Sequence, residues 1–513
     1  MATAISLLGK AGLALTMISP PRGECSPMSD GAEDKGSPRG FDAPLVIDLD
    51  GTMLYSDTLV EGIAAGLFQK PFATLAGCAG AVFSVPKFKS WIFRNVDVDY
   101  DAIPANDRLV AWLGEEKAKG REIHLVSAAN QGVVDKLASR FGIFDSAHGS
   151  SDSHNLKGRN KRKFIVDNFG PSAVYAGDSR PDRHVWKDLG GAVYAGTSRS
   201  MARRLEKSGQ LRAEFSRPAA GPKAWLTAFR IHQWSKNLLL FAPLILAQVY
   251  TDMTALVSTV LAFFILGLVA SGTYLVNDLS DLSADRRHRT KKNRPLPAGR
   301  IPVAEALIIA PLMIAGGLTA AWFVKPMFAL TLGAYVAVTL SYSLAFKRVA
   351  LLDVFILASL YTLRIIMGTI AAGVVHSLWL LTFSMFFFLS LSLAKRHVEV
   401  AAARDQPGRL IKGRGYFPED WPLTLALGIS TGAGSILILV LYLVDSAWEA
   451  GIYQSPGYLG GIPAIIAFWT SRIWLLAHRG ELHDDPVAFA TRDKLSIAMG
   501  AGLVGLLAAA IFL

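Results

Sequence analysis

The chain has 513 residues, 51% of them hydrophobic and 18% charged, with 52 Lys and Arg against 41 Asp and Glu for a formal net charge of +11. That length exceeds one ordinary soluble domain, and so apolar a composition argues for a membrane protein. The basic excess falls in loops between apolar runs, where the positive-inside rule accounts for it, so nucleic acid is not an expected partner.

Residues 1–40 are rich in Ser, Gly and Pro and read as a disordered extension. The short apolar run 11–18 would suit a cleaved signal peptide, and Met28 would suit an alternative start. Cys25 and Cys78 have neither metal-ligand spacing nor a disulfide framework. Residues 41–216 mix charge and hydrophobicity as a soluble domain does, 217–224 (Arg217-Pro218-Ala219-Ala220-Gly221-Pro222 onward) reads as a linker, and 225–513 is a succession of apolar runs.

In the soluble part, Leu45-Val46-Ile47 predicts a buried strand ending in Asp48-Leu49-Asp50-Gly51-Thr52. Two carboxylates on alternate residues therefore leave the carboxyl end of a strand, where doubly wound α/β folds bind ligands. A second predicted strand, 123–126, ends at Ser127; a third, 173–176, ends at Gly177-Asp178-Ser179, with Asp182 four residues after Asp178. Asn155-Leu156-Lys157-Gly158 leads to Lys161 at the start of a helix. Between Asp57 and Pro104 an insert carries two helical stretches, 60–68 and 72–83, and the aromatic runs 68–72 and 88–93. Those runs read either as a surface leaning on lipid or as the packed core of a cap.

In order and spacing these motifs resemble the four motifs of haloacid-dehalogenase-type phosphatases. The resemblance implies a Rossmann-like α/β fold with a small helical cap that selects substrate. It makes Asp48 the nucleophile and Asp50 the general acid. It assigns phosphoryl oxygens to Thr52, Ser127 and Lys161, and Mg²⁺ to Asp48, Asp50, Asp178 and Asp182. A domain that keeps the fold without turnover is the alternative.

Nine candidate spans follow, near 237–250, 254–276, 303–324, 327–346, 350–373, 375–394, 423–444, 459–477 and 495–513. The first is short for a bilayer that needs about 20 residues, with Trp234 at its interface. With the soluble domain inside a bacterial inner membrane, the inward loops carry Arg286, Arg287, Arg289, Lys291, Lys292, Arg294 and Arg300; Lys347 and Arg348; Lys395, Arg396, Arg404, Arg409, Lys412 and Arg414; and Arg479, Arg492 and Lys494. The outward loops show only Lys325, the asymmetry expected for that orientation.

After the second span, Asn277 precedes Asp278, Asp281 and Asp285, which share one face if helical. Like charges gather at a membrane edge when a cation joins them, so these acids predict Mg²⁺ bridging a diphosphate. The motif NDxxDxxxD and the span count resemble UbiA-type prenyltransferases over residues 225–513. Gln233-Trp234-Ser235-Lys236-Asn237, Asp285-Arg286 with Asn293-Arg294-Pro295, Tyr342 to Lys347 with Asp353, and Ala394 to Glu399 are similar to the decaprenyl-phosphate phosphoribosyltransferase branch.

The resemblance implies an all-α nine-span transmembrane bundle. Asp278, Asp281 and Asp285 would be catalytic metal ligands, and Lys236, Asn277, Arg286, Tyr342, Lys347, Arg364, Lys395 and Arg396 would bind substrate. A second acidic motif, DxxxD, is not found after the sixth span, which argues against a second prenyl-diphosphate clamp. Arg364 lies inside a span, where a charge costs about 2.5–3.5 kcal/mol, so it should face inward to an anion or an internal ion pair. Snorkelling alone would account for the lysines at span ends. Asp484-Asp485-Pro486 and Asp493 could close over the site or simply be solvated.

The expected function is Mg²⁺-dependent transfer of 5-phosphoribose from its diphosphate to a polyprenyl phosphate, with the soluble domain, on a flexible tether, removing the product's phosphate. The alternative is transfer of a prenyl group to an aromatic or other acceptor. A non-catalytic carrier should show internal repeats, and none is evident.

Overall fold

The computed structural model describes residues 43–513 except 82–83, 152–154, 218, 405–407, 409, 412, 449–450 and 483–484. The expected extension 1–40, with Cys25 and Met28, lies outside the described residues, as do Arg409, Lys412 and Asp484.

The soluble part is built on six parallel strands: β1 (Leu45–Ile47), β2 (Ile123–Asn130), β3 (Ser146–Ser150), β4 (Val174–Gly177), β5 (Gly191–Tyr194) and β6 (Leu211–Glu214). Their order is β3-β2-β1-β4-β5-β6. β1, β4 and β5 are buried along their whole length, as near-continuous apolar strands are when helices cover both faces of a sheet. Leu45 and Ile47 feed one core and Val46 the other, the period-two alternation of a strand. The order reverses between β1 and β4, which opens the crevice at their carboxyl ends. Ile47 pairs with both Leu125 and Ala176, so Asp48 and Asp178 emerge on adjacent strands. β2 runs four residues past its expected end, because Asn130 still pairs with Ser150 beyond a register shift.

The insert holds three helices, α1 (Thr58–Gln69), α2 (Pro71–Gly80) and α3 (Val85–Asn95). The Asp57 carboxylate caps α1 by accepting the N–H groups of Leu59 and Val60, and Pro71 at the first turn of α2 separates the two. Phe88 and Ile92 of α3 are core residues, while Phe72 is 86% exposed. The packed-core reading holds for Phe88 and Ile92, whereas Phe72 is at the surface. A further helix, α4 (Arg159–Phe169), carries Lys161.

Beyond residue 250, eight helices are long and apolar enough to cross a membrane among the described residues. These are α5 (Met253–Ser280), α7 (Val303–Val324), α8 (Pro326–Leu344), α9 (Leu352–Ala372), α10 (Leu378–Ala401), α11 (Trp421–Tyr442), α12 (Gly461–His478) and α13 (Lys494–Phe512); the short α6 (Leu282–Arg287) follows α5. The first expected span, 237–250, is not a ninth long helix: Ile231–Leu240 is a 3₁₀ run and Phe241–Leu246 a six-residue helix. A Cβ on Gly368 would meet the Leu240 carbonyl oxygen at 2.4 Å, so this segment packs directly on α9. Irregular backbone is tolerated at membrane depth when buried in protein.

The two parts are docked, which corrects the expectation of a flexible tether. Val60, Ala64 and Phe68 of α1 share one core with Leu275 and Leu279 of α5, Leu282 of α6, and Leu296, Ile301 and Val303. Ala220 and Ala224 join that core, and Arg217 donates to the Tyr55 carbonyl at 2.9 Å. The linker is therefore packed.

Candidate functional site

Two cavities hold most of the expected site residues. The first, about 480 Å³, opens at the carboxyl ends of β1 and β4. Asp48 is buried; it pairs with Lys161 at 2.8 Å and accepts from Tyr175 Oη at 3.2 Å and the Leu49 N–H at 2.8 Å. Asp50 accepts from the Thr58 N–H at 2.8 Å and Thr58 Oγ1 at 3.3 Å. After Asp50, Gly51 has φ +74°, and a Cβ there would meet Asp178 Oδ2 at 2.3 Å. Only glycine lets Asp178 come so close.

Electrostatics in this cavity are dominated by crowded acids. Burial raises the Asp48 carboxyl above its usual range, against the pull of Lys161. Burial, then the charge of Asp57, pushes Asp50 well above that range. Burial, with the charges of Asp182 and Asp48, lifts Asp178 to about 7. Carboxylates so short of positive charge, on oxygen donors alone, fit a hard divalent cation.

Other expected residues take different roles. Asp182 accepts from Ser179 Oγ at 2.7 Å, Tyr175 Oη at 3.0 Å and the N–H groups of Asp178 and Ser179, so it organises the loop. Ser127 is buried and accepts the Ala129 N–H at 3.1 Å; the wall beside it is Ala128, Ala129 and Asn130. Thr52 is fully buried, and its hydroxyl has no hydrogen-bond partner among the described residues. Sequence reading missed Tyr175, which sits in a quoted strand, and Lys89, which lines the cavity and donates to the Ala128 carbonyl at 2.5 Å. Pro302, Val303 and Ala304, at the start of α7, complete one wall.

The second cavity, about 550 Å³, lies among α5, α8, α9 and α10. Asn277 and Asp278 are on α5, but the helix breaks at Asp281 (φ −95°, ψ 8°) before α6 begins. The three acids therefore do not form the single helical face expected. Asp278 pairs with Arg230 and with Arg294 at 3.3 Å; Asp285 pairs with Arg294 at 2.9 Å and Lys291 at 3.2 Å; Asp281 pairs with Lys347 at 2.8 Å. Among the described residues, no three His, Cys, Asp or Glu side chains are grouped to hold a metal. One guanidinium nevertheless reaches both Asp278 and Asp285, so those two carboxylates converge on a shared positive charge and fit a divalent cation there. Asp281 stands apart on Lys347.

At another part of this cavity the charges are basic. Lys236 pairs with Asp485 at 3.2 Å and Lys395 approaches the same carboxylate at 3.9 Å, while Tyr361 donates to it at 3.4 Å. The residue set aside between closure and solvation is thus inside the site. Arg364 is buried and donates to Tyr335 Oη at 2.9 Å, the Leu360 carbonyl at 2.7 Å and Asn237 Oδ1 at 3.3 Å. The Tyr335 and Tyr361 rings lie 5.1 and 5.3 Å from its guanidinium carbon, so it faces inward on neutral partners and keeps its charge. Tyr342 lines the cavity and accepts from Arg414 at 3.2 Å.

Two expected substrate ligands are otherwise engaged. Arg396 forms a buried pair with Asp353 at 2.6 Å and a second with Glu399. Arg286 forms one with Glu61 at 2.6 Å. Both pairings have one cause: a buried guanidinium takes the nearest carboxylate, and sequence spacing cannot show which one that is; Arg396 nonetheless lines the cavity. Arg230 was missed; it adopts φ +51°, unfavourable for a residue with a side chain, and reaches Asp278. Arg294 stood in a quoted motif but was not singled out.

Known proteins extend this picture. The chain is 41% identical over 462 residues to an uncharacterized protein, y4nM, of Sinorhizobium fredii, covering 89% of each chain. It is 30% identical to the decaprenyl-phosphate phosphoribosyltransferase of Mycobacterium tuberculosis, over 52% of this chain and 87% of that one. A solved UbiA homolog from Archaeoglobus fulgidus, bound to GPP and Mg²⁺, aligns with a TM-score of 0.43 and 16% identity, covering 56% of this chain and 99% of that one. Residues 238–493 match the UbiA prenyltransferase family, and with eight long apolar helices among the described residues the chain belongs to that family as an integral membrane transferase.

Proposed function

We propose that the membrane domain transfers 5-phosphoribose from phosphoribosyl diphosphate to a polyprenyl phosphate, and that the soluble domain is a haloacid-dehalogenase-type phosphohydrolase acting on the lipid product. The observation that carries the first part is one cavity with two unlike ends. At one, the lining residues Arg230 and Arg294 pair with Asp278 and Asp285, and at another Lys236, Lys395 and Arg364 gather. A donor diphosphate with its cation suits the former, and a phosphate-bearing acceptor suits the latter. An aromatic acceptor would make no use of these three cations, which disfavours the prenyl-to-aromatic alternative. The 30% identical relative named as a decaprenyl-phosphate phosphoribosyltransferase supports the same reading.

In the transfer, the bond from the sugar C1 to pyrophosphate oxygen breaks, and an oxygen of the lipid phosphate forms the new bond to C1. Asp278 and Asp285, with Asp281 released from Lys347, would hold Mg²⁺, whose charge when bound stabilises the departing pyrophosphate. Arg230, Arg294 and Lys347 offset the remaining charge, and Lys236 and Lys395 orient the acceptor. No side-chain nucleophile is needed.

The product keeps its 5-phosphate, a phosphomonoester. In the soluble cavity Asp48 would attack phosphorus, Asp50 would protonate the departing alcohol and then take a proton from water, and Lys161 would hold phosphoryl oxygen. Asp48 and Asp178 would hold Mg²⁺, which when bound neutralises phosphoryl charge. This reading places residues 41–216 on the cytoplasmic side of a bacterial inner membrane, ahead of a membrane domain from 225.

Membranes containing the parent or Asp48→Asn protein, given radiolabelled phosphoribosyl diphosphate and polyprenyl phosphate, test both steps. The parent should yield polyprenyl-phosphate-ribose and inorganic phosphate, and Asp48→Asn should accumulate the phosphorylated lipid. Identical lipid products would remove the coupling, and no labelled lipid in either would remove the transferase assignment.

A further inference from the structure

Glu61 lies on α1, in the soluble part, and lines neither cavity. It accepts two hydrogen bonds from Arg286 of α6, from Nη1 at 3.0 Å and Nη2 at 2.6 Å, and both side chains are only 4% exposed. The same guanidinium donates through Nε to the Pro297 carbonyl at 3.3 Å. Arg286 therefore ties together the cap helix, α6 and the stretch before α7. Two neighbouring contacts hold that loop to the same side. Arg287 pairs with Asp99 at 2.5 Å, and at Gly299 (φ +67°) a Cβ would meet Tyr55 Cβ at 2.8 Å.

Arg294 of the same loop lines the membrane cavity. Asp285 immediately precedes Arg286, and Arg294 follows in the same loop to reach Asp278 and Asp285. A planar guanidinium held by two parallel bonds is fixed in orientation as well as distance, so fixing Arg286 constrains the carboxylate one residue before it. With Glu61 neutralised, Arg286 would be a buried cation without its partner, and the loop would have to move to hydrate it.

We propose that Glu61 is a positioning residue of the transferase, by which the soluble domain holds loop 281–300 so that Asp285 and Arg294 meet Asp278. The proposal rests on reading those acids as the donor site. It gives the soluble domain a part in transfer that is separate from its own hydrolytic chemistry. A chain with Glu61 neutralised should lose transfer efficiency although Glu61 lines neither cavity.

The test uses the full chain as parent, Glu61→Gln, Arg286→Gln and the double variant, with donor KM and kcat measured apart and hydrogen exchange followed across 281–300. Glu61→Gln should raise the donor KM at least about fivefold and speed exchange in the loop, and the double variant should be no worse than Arg286→Gln alone, since contacting partners are not additive. Unchanged exchange in Glu61→Gln, or effects that multiply in the double variant, would overturn the proposal. Hydrogen exchange needs no substrate. Faster loop exchange in Glu61→Gln together with a parent that transfers no phosphoribose would therefore sustain positioning and overturn the donor assignment alone.

Discussion

At the scale of single residues, most charges at the membrane cavity are already answered by another, Arg364 with its neutral partners excepted. Arg294 joins Asp278 to Asp285, and the Asp485 carboxylate sits between Lys236 and Lys395, where an anionic group of a substrate would have to go. Asp278→Ala and Asp285→Asn should each lower transfer on the order of 10²-fold, the usual loss when one preorganised electrostatic contact goes, while the protein remains in the membrane. Transfer within about twofold of the parent would discard the donor role of these acids. Asp485→Asn should act in the opposite direction: with no resident carboxylate to displace, the KM for polyprenyl phosphate should fall several-fold. A rise would mean that Asp485 serves to hold its loop rather than to occupy the anion position.

Among the elements, the segment before α5 sets the topology. α5 has 28 residues, about 42 Å at 1.5 Å per residue, enough for a full crossing. Its carboxyl end continues into α6, which Glu61 holds beside the soluble domain. The packed linker lies on that side too, so the nine-span reading has residues 229–252 bring the chain to the opposite face before α5 returns it. Ten residues of 3₁₀ helix at about 2 Å each and six of α-helix at 1.5 Å reach at most roughly 29 Å, close to the hydrocarbon thickness. A short segment can thus supply a ninth crossing. Cysteines introduced at positions 252 and 292 should be labelled from opposite sides by an impermeant reagent, and labelling from one side would reject this path. Gly368→Val tests the packing that permits it. The added side chain would strike the Leu240 backbone, and thermal unfolding in detergent should show a loss of roughly 1–3 kcal/mol, the cost of overpacking.

On the scale of the whole molecule, docking joins the two sites. The soluble cavity borrows Pro302, Val303 and Ala304 from the start of α7, and loop 281–300 is held by Glu61 of α1. The contact is an apolar core with Ala64 at 2% exposure in its centre. Ala64→Glu, which would bury an unpaired charge there, should open the linker 217–224 to limited proteolysis and lower transfer in parallel. Intact resistance to protease would show that the core does not depend on this contact.

Much of the architecture was legible in the chain itself, because hydrophobic period and turn chemistry are local. The runs ending at Asp48 and Asp178 read as strands and are strands, and eight of nine expected spans are long apolar helices. The NDxxDxxxD motif and its neighbours likewise led to the family. What the sequence could not carry was partner choice. Whether Arg286 meets a phosphate or Glu61, 225 residues away, and whether Arg396 meets substrate or Asp353, depends on which carboxylate folding brings within hydrogen-bond reach. The break at Asp281 and the 3₁₀ path through Leu240 are tertiary in the same sense. Packing against Lys347 and Gly368 accompanies each departure from the helical periodicity. Only the folded chain turned a presumed tether into a packed interface, since burial of Ala64 and Phe68 against α5 to α7 joins residues more than 200 positions apart, beyond any periodicity a sequence displays.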